Sequence, residues 1–451
     1  MMSADRPQSW LRVLLNDVSE IVTGKTPSTK NPDNFGGSIP FIKPADLDNG
    51  GYVTRTADTL TDAGAKLVPT IPANSIPVTC IGNLGKVGIT NQISATNQQI
   101  NTVVPSSQVD YRFFYYQLQT LKPWMQEHAS ATTVTIINKG KFSKAPAVLA
   151  PLAEQKVIAD KLDTLLAQVE NTKARLERIP QILKRFRQSA LAAAVSGRLT
   201  EEWRGSPEFT DWESDELGRF IEKPRYGSSA KSQKSGDIPV LRMGNLQAGR
   251  LDWADLVYTS DPEEIDKYLL EPGDVLFNRT NSPELVGKTS IFRGERDAIY
   301  AGYLIKIKCL SNLNPEFLNY QLNSPKAKDY CKAVKSDGVS QSNINAKKLA
   351  AYPLNCPPLE EQTEIVRRVD QLFAYADRVE QQVNNALARV NNLAQSILAK
   401  AFRGELTEQW RKDNPELISG ENSAQALLER IKAERAAMKP AKKTRQKRTT
   451  A

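Results

Sequence analysis

The sequence has little of what metal sites, disulfide frameworks and membrane spans require. Its 4 cysteines are scattered and form no C-x-x-C pair, and His128 is the only histidine. Zinc sites and disulfide frameworks use closely spaced sets of these residues, so neither is expected. No apolar run of about 18 residues occurs, and the N-terminal segment lacks the basic-then-apolar pattern of a secretory signal. These absences predict a cytoplasmic protein that does not enter a membrane.

Acidic residues are missing from the C-terminal stretch KPAKKTRQKRTTA, which holds a large part of the net charge of +9. The rest of the 451-residue chain is therefore close to neutral. A basic end of this kind is either solvated and disordered or a non-specific contact with a DNA backbone. In neither case does it read a sequence, so recognition has to be sought elsewhere in the chain.

A long segment of the chain is written twice. Residues 151–204, from PLAEQ to GRLTEEWR, align without a gap with residues 358–411, from PLEEQ to GELTEQWR. Roughly 19 of the 54 aligned positions are identical, which is far more than two unrelated segments would share. The match indicates an internal duplication.

Each copy has the apolar pattern of a long helix. Apolar residues recur at spacings of four and three, beginning with Ile158, Leu162 and Leu165 in the first copy and with Ile365 and Val369 in the second. Such a stripe is typical of a coiled coil, and a helix of about 40 residues is about 60 Å long. We expect the two helices to pack against each other as an antiparallel spacer, with a globular domain at each end.

Glycine and proline mark the expected ends and irregularities of these helices. Gly197 and Gly404 follow the apolar runs and predict helix stops. Pro180 interrupts the first copy, where the second has Leu387, and predicts a kink.

The segments before the two helices are related more faintly. SIPFIKPADL (38–47) matches DIPVLRMGNL (237–246), and both segments contain short β-type runs with helical stretches near their ends. The predicted fold is α+β: two globular α+β domains separated by two long α-helices that form an antiparallel coiled coil, with a pseudo-two-fold internal repeat. The predicted boundaries are 1–150 for the first domain, 151–205 for the central helix, 206–357 for the second domain, 358–411 for the distal helix, and 412–451 for a helical segment and basic tail.

No catalytic centre is recognisable in the sequence. The strings GKT (24–26) and LVGKTS (285–290) resemble the end of a phosphate-binding P-loop, but Ser19 and Ser282 stand where its first glycine is required. The lone His128 has no nucleophile or base at a recognisable spacing. We therefore predict no catalytic residue, no metal site and no cofactor bound by this chain.

Amide and basic side chains cluster in the loops of both predicted domains. Arginine and lysine pair with guanine in the major groove of DNA, and asparagine and glutamine pair with adenine. Amide-rich loops also occur as plain turns, so each residue is a hypothesis. The candidate DNA-binding residues are Lys86, Asn91, Gln92, Asn97, Gln98, Gln99, Asn138, Lys139 and Lys141 in the first domain and Asn278, Arg279, Asn281, Lys288, Ser340, Gln341 and Asn343 in the second.

Taken together, these features resemble the specificity subunit of a type I restriction-modification enzyme, closest to the K family (class IA). The resemblance is carried by PLAEQKVIADKLDTLLAQVENTKARLERIPQILKRFRQ, by the endings GRLTEEWR and GELTEQWR, and by NPELISGENSAQALLERIKAERAA at 414–437. It spans nearly the whole chain, and it is strong in the helices and weak in the globular domains.

The resemblance implies a non-catalytic role in DNA recognition. By this resemblance, the globular domains are target recognition domains that each read one half of a split, asymmetric double-stranded DNA site, and the helices set the gap between the halves. Two adenine methyltransferase subunits and two restriction and translocation subunits are the implied partners. S-adenosylmethionine, ATP and Mg²⁺ are expected on those partners and not on this chain.

Two other functions fit the same residues. A free-standing bipartite DNA-binding regulator would use the same domains without partners and would bind its site tightly alone. A coiled-coil scaffold unrelated to DNA would use the amide loops as turns and would show no salt-dependent DNA binding.

Overall fold

The structure is a computed structural model that describes residues 6–130, 134–206, 208, 211–339 and 341–438. The chain divides into two compact units. The first unit comprises Met1–Arg175 and Leu387–Ala451, and the second comprises Leu176–Ala386. Each unit therefore contains one globular domain together with parts of both long helices.

Strands and short helices alternate in the first globular domain. Its strands are β1 (Leu11–Leu14), β2 (Ser19–Thr23), β3 (Phe35–Ile42), β4 (Tyr52–Val53), β5 (Asp58–Leu60), β6 (Thr70–Ile71), β7 (Ile76–Thr79), β8 (Ile89–Thr90), β9 (Ser94–Thr96), β10 (Ile100–Pro105) and β11 (Pro146–Leu149). Its helices are α1 (Leu15–Val18), α2 (Asp62–Ala65), α3 (Tyr111–Gln119), α4 (Lys122–His128) and α5 (Lys139–Phe142). The strand orders are β2-β10-β7, β5-β3-β9-β6, β4-β8 and β1-β11.

The first long helix, α6 (Leu152–Val195), is followed by the short α7 (Glu201–Arg204) and the second domain. The strands of this domain are β12 (Glu213–Glu216), β13 (Arg225–Tyr226), β14 (Ile238–Leu241), β15 (Leu246–Gln247), β16 (Arg250–Leu251), β17 (Val257–Thr259), β18 (Val275–Asn278), β19 (Thr280–Asn281), β20 (Thr289–Ile291), β21 (Ile299–Tyr300), β22 (Leu304–Ile307), β23 (Ser336–Asp337), β24 (Ser342–Asn343) and β25 (Pro353–Cys356). Its helices are α8 (Pro262–Tyr268), α9 (Pro315–Asn323), α10 (Pro325–Val334) and α11 (Ala346–Ala350). The chain ends with the second long helix, α12 (Leu359–Phe402), and with α13 (Glu408–Asp413) and α14 (Ala424–Met438).

The two domains share one strand arrangement. The antiparallel order β2-β10-β7 recurs as β13-β22-β18. The central strand of a second sheet, β3 or β14, has one antiparallel neighbour (β5 or β17) and one parallel neighbour (β9 or β21). The pair β1-β11 recurs as β12-β25, and its later strand leads directly into a long helix. The α+β class and the internal repeat are confirmed.

One apolar helix is central to the core of each domain. Helices α3 and α9 begin where the side chains of Asp110 and Asn314 accept hydrogen bonds from the second and third helical N–H groups, which a helix start leaves without partners. Phe113 of α3 and Phe317 of α9 are fully buried in separate hydrophobic clusters, one in each unit.

Helices α6 and α12 each span 44 residues, which corresponds to about 66 Å. Gly197 and Gly404 follow their ends with φ of 72° and 80°, a left-handed conformation that glycine adopts without strain, and this confirms the predicted stops. Helix α6 continues through Pro180.

The long helices pack against each other in antiparallel orientation. In the first unit, Ile158 and Leu162 near the start of α6 share a hydrophobic cluster with Ile397 near the end of α12. In the second unit, Leu191 near the end of α6 shares a cluster with Ile365 near the start of α12. These residues belong to the predicted apolar stripes or lie beside them, so the predicted coiled coil is confirmed.

A buried carboxylate fastens the start of α6. Glu154 is fully buried; its Oε2 accepts a hydrogen bond from Trp10 Nε1 at 2.8 Å, and its Oε1 accepts from Thr407 Oγ1 at 2.7 Å and Arg411 Nη1 at 2.6 Å. Thr407 and Arg411 belong to the ending that follows α12. We call this set of four residues the first carboxylate clasp.

The same arrangement occurs at the start of α12. Glu361 Oε2 accepts from Trp212 Nε1 at 2.9 Å, and its Oε1 accepts from Thr200 Oγ1 at 2.7 Å and from Arg204. Thr200 and Arg204 belong to the ending that follows α6. This second carboxylate clasp explains why the PLAEQ and LTEEWR phrases are both written twice: each start binds the other copy's ending.

The residue after each clasp glutamate attaches the helix to its own domain. Gln155 Oε1 accepts a hydrogen bond from Asp110 N at 3.0 Å, and Gln362 Oε1 accepts from Asn314 N at 2.7 Å. The E-Q dipeptide therefore ties each helix start to the other copy's ending through glutamate and to the preceding domain through glutamine.

The clasp predicts that Glu154 contributes far more to the free energy of unfolding than the exposed Glu408 does. Glu154→Ala should lower the free energy of unfolding by about 3–5 kcal/mol, because it leaves the buried Trp10 N–H without its acceptor and the half-buried Arg411 without its counter-charge. Urea unfolding of the purified chain, followed by circular dichroism, measures the change. The control is Glu408→Ala, which removes an exposed ion pair with Lys412 and should cost at most about 1 kcal/mol. Equal effects of the two substitutions would show that the clasp does not hold the helices.

Candidate nucleic-acid interface

Three backbone segments of the first domain meet at one place. Cys80, just after β7, donates its N–H to Gln99 O at 2.8 Å, and Ile137 N donates to Cys80 O at 2.9 Å. Ile136 forms a β-bridge with Ile81 beside these bonds. We call the meeting point of residues 80–81, 97–99 and 136–138 the first loop junction.

The second domain repeats this junction. Arg279, just after β18, donates its N–H to Tyr303 O at 3.0 Å, and Ile344 N donates to Arg279 O at 2.8 Å. Asn343 pairs with Thr280 beside these bonds. The second loop junction, formed by residues 279–280, 301–303 and 343–345, therefore has the backbone framework of the first.

The side chains on the shared framework differ. In the first junction, Cys80 is buried, and burial raises the pKa of its thiol to about 11, so the group is neutral. Its counterpart is Arg279, whose guanidinium lies 4.7 Å from the ring centroid of Tyr226. Gln99 is replaced by Tyr303, which is half exposed. One fold thus presents different chemistry in the two domains.

Lysines at one turn are common to both domains. Thr79 N donates to Lys86 O at 3.0 Å in the first domain, and Asn278 N donates to Lys288 O at 2.8 Å in the second. The ammonium group of Lys86 forms an ion pair with Asp48, and that of Lys288 donates to Gln247 Oε1 at 3.3 Å. The predicted candidates Lys86 and Lys288 therefore occupy equivalent positions.

The turn also explains one string that resembled a P-loop. Gly287 of LVGKTS has φ of 89°, and Gly85 before Lys86 has φ of 79°, so both turns need a left-handed residue. The other string, GKT at 24–26, holds Gly24, at which a Cβ atom would lie 2.2 Å from Asn97 O. These glycines are required by the local backbone conformation and by close packing.

A second pair of equivalent basic residues was not among the predicted candidates. Lys43 N donates to Asp46 Oδ2 at 2.8 Å, and Arg242 N donates to Asn245 Oδ1 at the same distance. Their side chains form partly exposed ion pairs with acidic residues of their own domains. The match of SIPFIKPADL with DIPVLRMGNL places Lys43 over Arg242 and could have identified the pair.

Some predicted amides of the first domain are turn residues. Asn97 is buried, with Oδ1 accepting from Gln99 N at 3.1 Å and Nδ2 donating to Gln99 Oε1 at 3.0 Å. Gln98 is exposed and accepts from Thr26 Oγ1 at 2.6 Å. Asn91 and Gln92 are exposed in the turn between β8 and β9, and no hydrogen bond within the described residues joins their side chains to the first loop junction.

Three predicted residues lie at the start of α5, and two of them, Asn138 and Lys141, have local partners. Asn138 caps this helix by accepting from Lys141 N at 2.8 Å, and Lys141 Nζ donates to His128 O and Ser130 Oγ, both at 3.2 Å. Asn345 and Lys348 make the corresponding contacts in the second domain. Lys139 is exposed.

Asn278, Asn281 and Asn343 lie at or beside the second loop junction. Asn278 is fully buried, and its Oδ1 accepts from Thr280 N at 3.3 Å. Asn343 Nδ2 donates to Thr280 Oγ1 at 2.8 Å, and Asn281 Oδ1 accepts from Ser282 N at 2.8 Å. Gln341 is exposed, and Ser340 lies outside the described residues. The structure thus brings Asn278, Arg279, Asn281 and Asn343 together.

The described part of the chain contains neither a candidate metal centre nor a helix suited to crossing a membrane. No group of three or more histidine, cysteine, aspartate or glutamate side chains there could hold a metal ion. None of its helices is both long and apolar enough to cross a membrane.

Comparison with known proteins bears on this architecture. The family model of the type I restriction modification DNA specificity domain matches residues 7–181 and 210–389. The type I restriction enzyme EcoKI specificity subunit of Escherichia coli (strain K12) is 38% identical, over 99% of this chain and 100% of its own length. The StySPI specificity subunit of Salmonella potsdam is 46% identical, over 71% of this chain and 70% of its own.

The fold also matches a solved structure. The crystal structure of the HsdS subunit from Thermoanaerobacter tengcongensis aligns with a TM-score of 0.60 and 18% identity, over 89% of this chain and 99% of that one. This likeness concerns the fold, whereas the family matches cover both repeats of the sequence. The chain belongs to the family of type I restriction enzyme specificity subunits.

Proposed function

We propose that this chain recognises a split, asymmetric double-stranded DNA site as the specificity subunit of a type I restriction-modification complex. The observation that carries the proposal is that the two loop junctions hold different side chains on one backbone framework. Cys80 and Arg279 occupy equivalent positions, and so do Gln99 and Tyr303. A protein that reads two different half-sites needs this combination, because the framework positions the side chains and the side chains select the bases.

The basic residues common to both domains fit a second kind of contact. The DNA backbone is chemically the same at every half-site, so phosphate contacts can be made by the same residue type in both domains. Lys43 and Arg242 form one such pair, and Lys86 and Lys288 form the other. The ion pairs of Lys43, Lys86 and Arg242 are partly exposed and worth about 0–1 kcal/mol each, so a phosphate can replace the carboxylate. Lys288 donates instead to the amide oxygen of Gln247.

The proposed complex has two copies of each partner. The two carboxylate clasps repeat one arrangement at the two helix starts, and a structure that occurs twice in one chain suits two copies of one partner. We infer that these copies are adenine methyltransferase subunits and that two restriction and translocation subunits join them. The chain itself is proposed to be non-catalytic and cytoplasmic, with S-adenosylmethionine, ATP and Mg²⁺ held by the partners.

A first prediction concerns activity. The purified chain should show no methyl transfer, ATP hydrolysis or DNA cleavage, and methyl transfer to DNA should appear when a methyltransferase subunit is added. Transfer of a tritiated methyl group from S-adenosylmethionine measures this. Methyl transfer by the chain alone would contradict the non-catalytic role, whereas tight site-specific binding without any partner would favour the free-standing regulator.

A second prediction concerns modularity. Replacing residues 10–150 by the equivalent segment of the Escherichia coli relative should change one half of the methylated site and leave the other half as it was, because each loop junction lies within one domain. Genome-wide mapping of methylated adenines in cells that carry the chimera and its partners measures both halves. A change in both halves at once would show that the domains do not read independently.

A third prediction concerns the shared lysines. Lys288→Ala should weaken binding of the assembled methyltransferase by a similar factor on specific and non-specific duplexes, and it should reduce the salt dependence of binding by about one ion. The control is Lys332→Ala, which removes an exposed lysine that pairs with Asp329 on α10 and should leave both quantities unchanged. A loss confined to the specific duplex would mean that Lys288 contacts a base.

A further inference from the structure

The Arg279 side chain is held in a fixed position within the second loop junction. Its guanidinium stacks on the ring of Tyr226 at 4.7 Å, and Nη1 donates to Gly302 O at 3.3 Å. Nε is buried and has no acceptor among the described residues. The N–H groups that remain for a ligand are therefore those at the tip of the guanidinium, on Nη1 and Nη2.

Arg279 also differs from the other half-buried arginines of its unit. Each of the others has a carboxylate within salt-bridge distance, and these are Arg187, Arg204, Arg242 and Arg368. No carboxylate of the described residues lies within that distance of Arg279. An arginine that is partly withdrawn from water and has no internal counter-charge is suited to an external acceptor.

We propose that Arg279 reads a guanine in the half-site bound by the second domain and that Tyr226 is its positioning residue. This inference rests on the function proposed above. Guanine presents two acceptors, N7 and O6, at the edge exposed in the major groove, and the planar tip of a guanidinium donates to both at once. Stacking on Tyr226 fixes the plane of the fork and reduces the conformational entropy lost on binding.

Comparison with the first domain shows which kind of contact suits Arg279, a base contact or a phosphate contact. Its residue equivalent to Arg279 is Cys80, which is buried and neutral. Both domains face the same sugar-phosphate backbone, and both already carry Lys or Arg at the two shared positions. The second loop junction has a cation, Arg279, where the first has none. This cation therefore fits a feature that is present in one half-site only, and such a feature is a base.

The first experiment maps adenine methylation in cells that carry each variant with its partner subunits. The half-site of the second domain is the half that stays unchanged when residues 10–150 are exchanged. We expect a G·C pair in that half, and we expect Arg279→Ala and Arg279→Lys to lower the preference for it by about 10- to 100-fold while the other half is kept. Lysine is included because it keeps the charge but lacks the planar fork.

Matched variants control this experiment. Arg293→Ala removes an arginine that forms two bonds to Glu316, at 2.6 and 2.9 Å, and it should leave the methylated sequence unchanged. Tyr226→Leu and Tyr226→Phe both lose the hydroxyl that accepts from Ala346 N, but only Phe keeps the ring. Selectivity for the G·C pair should fall in Tyr226→Leu and should be kept in Tyr226→Phe. If the hydroxyl bond alone mattered, both variants would lose selectivity.

A change in the DNA tests the contact with the protein intact. Replacing the guanine by 7-deazaguanine removes N7, so the wild-type complex should bind the modified duplex more weakly, whereas the Arg279→Ala complex should bind both duplexes equally. Equal sensitivity of the two complexes would overturn the contact even if a variant folded poorly.

Other outcomes overturn the inference in different ways. A uniform loss of binding that Arg279→Lys restores would identify a phosphate contact. An unchanged methylated sequence in Arg279→Ala would show that another residue reads this half-site, and the proposed function would stand. Methylation without any discrete sequence in the wild type would overturn both the inference and the proposed function.

Discussion

A buried carboxylate at the start of each long helix is the interaction on which the rest of the structure depends. A charge withdrawn from water has to be paired and hydrogen-bonded, and the partners of Glu154 come from Trp10 and from the ending that follows α12. The partners of Glu361 are arranged in the same way. Only an antiparallel pair of helices brings each start to the other helix's ending, so the two clasps select this pairing over any other.

The distribution of sequence identity follows from the clasps. Identical residues lie near the two ends of the duplicated segment, whereas between Gln168 and Arg187 no residue matches its counterpart 207 positions later. The ends have to supply specific side chains to a buried polar network, and the centre only has to continue an apolar stripe. Apolar residues replace one another at small cost, so the centre was free to diverge.

The long helices could be predicted because their signals are local and long. A period of three and four sustained over many turns, with Gly197 and Gly404 at the ends, specifies them without tertiary information. The domains gave weaker signals, since many of their strands have two to four residues. The equivalence of Cys80 and Arg279 could not be predicted because insertions change the spacing between equivalent positions of the two domains. Cys80 and Arg279 are 199 positions apart, whereas Ile137 and Ile344 are 207 positions apart. Asn138 and Lys141 show a capping pattern that composition alone could not distinguish from a DNA-reading loop.

The two halves differ in their side chains at the loop junctions because the main chain makes the contacts there. At the loop junctions, the backbone N–H and C=O groups of Cys80 and Arg279 form the hydrogen bonds that hold the segments together, so any side chain that fits can stand there without loss of the framework. In the clasps the opposite holds, because the side chains themselves form the bonds. A change in Glu154 would leave the buried Trp10 N–H without its acceptor, and a change in Arg411 would leave the buried Glu154 without its counter-charge. The side chains are therefore constrained in the carboxylate clasps, where the two halves bind each other, and they can vary at the loop junctions, where the two halves must differ.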